Sequence, residues 1–152
     1  MKYLLLNIFI LYFILFSSSN CSFQISLFNE INKSKKGQNL IISPLSIFQI
    51  LSLTTNGAKG QTQSEMRDVL ESESIDDLND INYDILSIFQ KFKTLEIANA
   101  VMTKFTPLES FSSIADNYLA PVEPLIDAGQ VNEWCNKTTH GKIDNFLKNE
   151  KS

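Results

Sequence analysis

Apolar and polar residues follow one another along the chain with periods that change several times. Phe23, Leu27 and Ile31 recur every four residues with Phe28 beside them, which is one face of a short helix, and Lys33-Ser34-Lys35-Lys36-Gly37-Gln38 then breaks it as an exposed loop. Asn39-Leu40-Ile41-Ile42 reads as a short strand. Ser43-Pro44 supplies an N-cap and a first-turn proline for a helix over 45–53 that is apolar on nearly every side and is therefore expected to be central. Asn56-Gly57 is expected to end it, with the glycine in a left-handed conformation. Thr62-Gln63-Ser64-Glu65 has the form of a capping box, in which Thr62 accepts from the amide of Glu65 and the carboxylate reaches back, and Met66, Val69 and Leu70 form the buried stripe that follows.

The stretch 71–84 carries Glu71, Glu73, Asp76, Asp77, Asp80 and Asp84 without a Lys or Arg, over a stripe of Leu78, Ile81, Ile85, Ile88, Phe89 and Phe92 at helical spacing. It reads as a solvated acidic face above a packed one. Residues 95–102 alternate like a strand and place Asn99 on the face of Leu95, Ile97 and Val101. A buried carboxamide left without partners costs roughly 1–3 kcal/mol, so Asn99 is expected to join a polar cluster, with Ser43 and Ser46 as its partners. Thr106-Pro107-Leu108-Glu109 resembles a second capping box, opening a helix whose apolar side is Leu108, Phe111, Ile114, Ala115, Tyr118 and Leu119. Pro121-Val122-Glu123-Pro124-Leu125-Ile126 reads as a strand confined to a sheet edge by its two prolines. Val131, Trp134, Cys135 and Thr138 mark a last helix, stopped by Gly141.

The N-terminus changes the picture. Met1-Lys2 is followed by a run over 3–16 in which Asn7 is the strongly polar residue, and then by Ser17-Ser18-Ser19-Asn20-Cys21. A positive start, an apolar run and small residues make a secretory signal peptide, with cleavage expected after Ser19. The run falls short of the ~20 residues of a membrane span. A retained anchor carrying a lipid on Cys21 is the alternative, although no Leu stands three places before that cysteine as a bacterial lipoprotein box requires. The domain plan is therefore a signal over 1–19 and one domain over 20–152. Loss of Lys2 makes the remaining charge one unit more negative than the −4 of the whole chain. About 130 residues remain, enough to bury roughly two-thirds of their unfolded surface in one core. Secretion permits a disulfide, but Cys21 and Cys135 lie far apart in the chain and two unpaired thiols are the favoured reading. Asn20-Cys21-Ser22, Asn32-Lys33-Ser34 and Asn136-Lys137-Thr138 are acceptor triplets for N-glycans in a eukaryotic secretory pathway, and Asn32 and Asn136 are the candidate sites inside the domain.

No catalytic set assembles from these residues. The one histidine, His140, lies five residues from Cys135, without an orienting third group or an anion-stabilising loop. Together with Cys21 these two lack the spacing of a zinc site, so no metal and no cofactor is expected. Asn56-Gly57-Ala58-Lys59-Gly60-Gln61-Thr62 lacks the Gly-Lys-Ser/Thr of a phosphate loop and follows a helix, so it is read as a turn. Basic residues are scattered, and those interleaved with Phe89 and Phe92 border the apolar stripe, which disfavours nucleic acid as a partner.

Four segments, in order, resemble one family, the serpins. Asn39-Leu40-Ile41-Ile42-Ser43-Pro44-Leu45-Ser46-Ile47 is similar to the start of that family's central helix, and Asn56-Gly57-Ala58-Lys59-Gly60-Gln61-Thr62-Gln63-Ser64-Glu65-Met66 to the turn and helix after it. Leu95-Glu96-Ile97-Ala98-Asn99-Ala100-Val101 resembles a strand of the large sheet, and Val131-Asn132-Glu133-Trp134-Cys135-Asn136-Lys137-Thr138-Thr139-His140-Gly141-Lys142-Ile143 the end of the helix lying across it. The resemblance implies an α+β fold: the N-terminal helical part of a serpin with one or two strands of its large sheet. It implies inhibition of serine or cysteine proteases, in which a cleaved reactive loop adds to the sheet as a new strand and releases stored strain. It places Ser43, Ser46 and Asn99 in the polar region beneath the strands that part.

The family's reactive loop lies near the C-terminus of a chain more than twice this length, so these 152 residues are expected not to inhibit by loop insertion. One alternative is an interaction module that pairs through an exposed strand edge with itself or with a full-length serpin. Another is a truncated product without independent function. The acidic connection ahead of Leu95 stands where heparin-binding members carry basic residues, so no heparin cofactor is expected.

Overall fold

The computed structural model describes residues 22–92 and 96–148. The proposed signal over 1–19, Cys21, Asn20 and Leu95 lie outside them. The chain divides into two compact units, the first reaching Asn82 and the second beginning at Tyr83.

The first unit is helical. Helix α1 covers described residues 22–34, α2 is Pro44–Gly57, α3 is Gly60–Val69, and α4, Ile75–Phe89, begins in this unit and crosses the division. Phe23, Phe48, Leu70 and Leu78 form its core, with Leu27, Ile47, Leu51 and Ile81 packed around them. The Phe23 and Phe48 rings meet in a tilted arrangement with centroids 6.0 Å apart, within the range favoured by aromatic quadrupoles. Phe23, Phe48 and Leu78 stand on their helices and Leu70 is the residue that caps α3, while Val69, expected on the same buried stripe, is 59% exposed.

α2 starts as its sequence predicts, with Ser43 as N-cap and Pro44 in the first turn. Its apolar surface is not uniformly buried: Ile50 is 61% exposed, while Gln49, Ser52 and Thr55 are buried. The hydroxyls are satisfied within the helix, Ser52 Oγ donating to Phe48 O at 2.8 Å and Thr55 Oγ1 to Leu51 O at 2.8 Å. Asn56 and Asn79 exchange reciprocal amide hydrogen bonds of 2.9 and 3.1 Å between α2 and α4.

Three local expectations in this unit are corrected. Residues 39–42 form no strand, and Ile41 is 98% exposed, because no backbone among the described residues offers them a ladder. Gly57 is not left-handed: α2 closes onto Ala58 in an extended conformation, whose amide donates to Thr55 O, and Gly60 takes the positive φ of 60°. α3 therefore opens at Gly60, two positions before Thr62, which lies inside the helix and caps nothing; Glu65 accepts from Gln61 Nε2 at 2.6 Å instead.

The second unit holds β1 (Val101–Thr103), α5 (Glu109–Asn117), β2 (Val122–Pro124) and α6 (Ala128–Thr138). β1 and β2 form a two-stranded parallel sheet in the register Val101↔Val122, Met102↔Glu123 and Thr103↔Pro124. Parallel strands cannot be joined by a hairpin turn, and α5 is the crossover that the pairing requires. Ala115, Tyr118 and Ala120 are buried where α5 closes. α5 starts at Glu109 with Leu108 as N-cap and no side-chain cap, so Thr106 does not close a capping box there. Asp127 caps α6, its Oδ1 accepting from Gln130 N at 2.9 Å, and residues 128–130 become the first turn of that helix. Gly141, at φ 78°, donates to Asn136 O at 2.8 Å and stops it as predicted.

Phe48→Ala is expected to lower the unfolding free energy by about 3–5 kcal/mol in urea denaturation, since a buried aromatic leaves a cavity. Ile50→Ala, at an exposed site, is expected to change it by under about 1 kcal/mol. Equal effects of the two would contradict the orientation of α2.

Candidate functional site

The residues singled out by the sequence are Ser43, Ser46 and Asn99. Ser43 precedes Pro44, which disfavours a helical conformation at the residue before it, and so Ser43 becomes the cap. Its Oγ lies 2.8 Å from Ser46 Oγ and accepts from Ser46 N at 3.4 Å. Both serines are exposed in the first unit. Their hydroxyl pair holds the first turn of α2, and either hydroxyl can be the donor. A hydrogen bond between two exposed hydroxyls is readily exchanged for one to another group.

Asn99 belongs to the second unit and is half-buried. Its Nδ2 donates to Tyr118 O at 2.9 Å, so the partner that a buried carboxamide demands is the closing turn of α5. That turn is tightly wound: Ala120 N donates to Ala115 O at 2.9 Å, and Leu119 is forced to φ 53°. Ser43 and Ser46 bond each other, and Asn99 bonds Tyr118.

The same turn explains why the strand is shorter than its alternating pattern. In the observed register, continuing β1 toward Asn99 would set Pro121 opposite Ala100 and Ala120 opposite Asn99. Pro121 has no N–H to give and the Ala120 amide is committed to Ala115 O, so the ladder starts at Val101 and the side chain of Asn99 bridges to the turn instead.

The two sheet edges differ. Val101 N donates to Pro121 O at 3.0 Å and Leu125 N to Thr103 O at 2.9 Å, so in β1 the backbone groups of Val101 and Thr103 face β2. Backbone direction alternates along a strand, which turns the N–H and C=O of Met102 to the opposite side. On β2, Pro124 faces outward, has no N–H to offer, and its carbonyl accepts from Gln130 Nε2 at 2.9 Å. Gln130 Oε1 in turn accepts from Ile126 N at 2.8 Å. At Pro124 the outer edge of β2 is thus closed by a proline and one glutamine, whereas the Met102 backbone on the outer edge of β1 meets no hydrogen-bond partner among the described residues. Reading the sequence located the proline block, but nothing in the spacing of Gln130 announced its role.

Cys135 is buried with a free thiol. His140 is turned to Glu96, with Nε2 and Oε2 2.6 Å apart on the surface. Among the described residues no hydrogen bond joins Cys135 to His140.

A family model described as Serpin (serine protease inhibitor) matches residues 18–152. The chain belongs to the serpin family. It is 30% identical to the leukocyte elastase inhibitor of Sus scrofa over 146 residues, covering 86% of this chain and 38% of that protein. It is 26% identical to serine proteinase inhibitor 1 of Variola virus over 140 residues, covering 82% and 36%. Among solved structures, reactive-loop-cleaved human thyroxine binding globulin aligns with a TM-score of 0.76 at 21% identity, covering 87% of this chain and 44% of that one. Cleaved Serpin 42Da aligns with a TM-score of 0.73 at 22% identity, covering 82% and 37%. The fold is a partial serpin fold, helix-rich with two strands, and the chain spans about two-fifths of the length of the curated relatives it matches.

Asn99→Ala is expected to cost about 1–2 kcal/mol by removing its hydrogen bond to the Tyr118 carbonyl, and Ser43→Ala about 1 kcal/mol by removing the cap.

Proposed function

We propose that this chain supplies the N-terminal, helix-rich part of a secreted serpin-type inhibitor of serine or cysteine proteases, and that residues 1–152 by themselves do not trap a protease. The family match supports the class of activity. The observation that carries the reading is the asymmetric sheet. Inhibition by strand addition needs one edge able to receive a strand, and β1 offers Met102 outward while Pro124 and Gln130 close the edge of β2. Ser43, Ser46 and Asn99 serve in this reading as the exchangeable hydrogen bonds around which strands part. Secretion is supported by the leader-like pattern over 1–19.

The chain does its work by offering structure, not by turnover. Trapping requires a cleavable loop joined to the sheet, and the relatives carry about three-fifths of their length outside the matched region. A second reading is favoured by the same open edge: residues 1–152 act as an interaction module, with Met102 pairing to a second copy or to a strand of a complete serpin.

Incubation of the purified chain with trypsin-like, chymotrypsin-like and papain-like proteases is expected to leave each protease active and to yield no detergent-resistant complex. A stable covalent complex with any of them would overturn the proposal. Size-exclusion chromatography separates the second reading: association that Met102→Pro abolishes would favour it, and a monomer at all concentrations would exclude self-pairing.

A further inference from the structure

We propose that Asn32 and Asn136 both carry N-linked glycans, each sited by the fold on the exposed last turn of a helix. The inference rests on the secretory reading of the leader.

The two triplets have the same setting. Asn32-Lys33-Ser34 ends α1 and Asn136-Lys137-Thr138 ends α6. In each, the hydroxyl residue donates back to a carbonyl of the preceding turn, Ser34 Oγ to Ile31 O at 2.7 Å and Thr138 Oγ1 to Trp134 O at 2.8 Å. A left-handed glycine follows three residues later in both, Gly37 at φ 81° and Gly141 at φ 78°. Helix termini fray, opening at little cost relative to helix centres, so the acceptor triplet can reach the extended form that a transferase engages.

Neither asparagine is committed to another contact. Side-chain amides of Asn56, Asn79, Asn82, Asn99 and Asn132 are bonded to carbonyls or to each other. Those of Asn32 and Asn136 make no protein hydrogen bond among the described residues, and both residues are exposed. A glycan is bulky and hydrophilic. At either position it points to solvent and displaces no contact of the Phe23–Phe48 core or of the Asn99–Tyr118 bridge. The middle residue is Lys in both triplets, never the Pro that blocks acceptance.

The test is translation of the full chain with eukaryotic microsomes, in an Asn20→Gln background, under its own leader and, in parallel, under an established cleavable leader. With the established leader, two endoglycosidase-sensitive mass increments are expected. Asn32→Gln and Asn136→Gln should each remove one, both together should remove all, and Thr138→Ser, which keeps the triplet, should retain both. A membrane-protected chain without increments would overturn the proposal, and a single increment would overturn it for the unoccupied site. A chain glycosylated under the established leader but excluded from the microsomes under its own would overturn the secretory reading and leave the site assignment standing.

Discussion

Parallel strands need a crossover, and the second unit is arranged around that necessity. β1 and β2 pair over three positions, and the connection between them must leave the sheet, run back beside it and turn in again. α5 provides the return, and its end must turn sharply enough to deliver Val122 opposite Val101. The turn is made by a non-glycine residue, Leu119, in a left-handed conformation, with the Tyr118 carbonyl held by the side chain of Asn99. One carboxamide thereby fixes both where the crossover ends and where the ladder begins.

From this follows the asymmetry of the sheet. With the pairing side set, alternation sends the backbone groups of Met102 outward on one edge and those of Val122 and Pro124 outward on the other. The second edge is blunted by a missing donor and by a carbonyl already taken by Gln130. The α6 cap at Asp127 places Gln130 in the first helical turn, within reach of Pro124 O and Ile126 N.

Much of this was legible in the sequence where a residue type has one physical use. Ser43-Pro44 specified a helix start, Phe23, Leu70 and Leu78 stood on separate apolar stripes that meet in the core, and Pro121 and Pro124 specified an edge. Legibility failed where local signals had to compete with neighbours. Thr62 and Thr106 have capping-box partners, yet the helices start at Gly60 and Glu109, where the chain's path sets the first turn. Residues 39–42 have strand composition and no strand to pair with. Asn99 was recognisable as an amide in need of a partner, but a sequence names no partner across a tertiary contact, and nothing in the spacing pointed to the carbonyl of Tyr118.

Backbone amide exchange measured on the dilute, monomeric chain tests the edge asymmetry most directly. The Val101 and Leu125 amides, which donate within the β1–β2 pair, are expected to exchange slowly, and the Met102 amide between them in the sheet to exchange at nearly the rate of an open chain. Protection of Met102 equal to that of its neighbours would contradict an available β1 edge and, with it, the proposed place of this chain in strand addition.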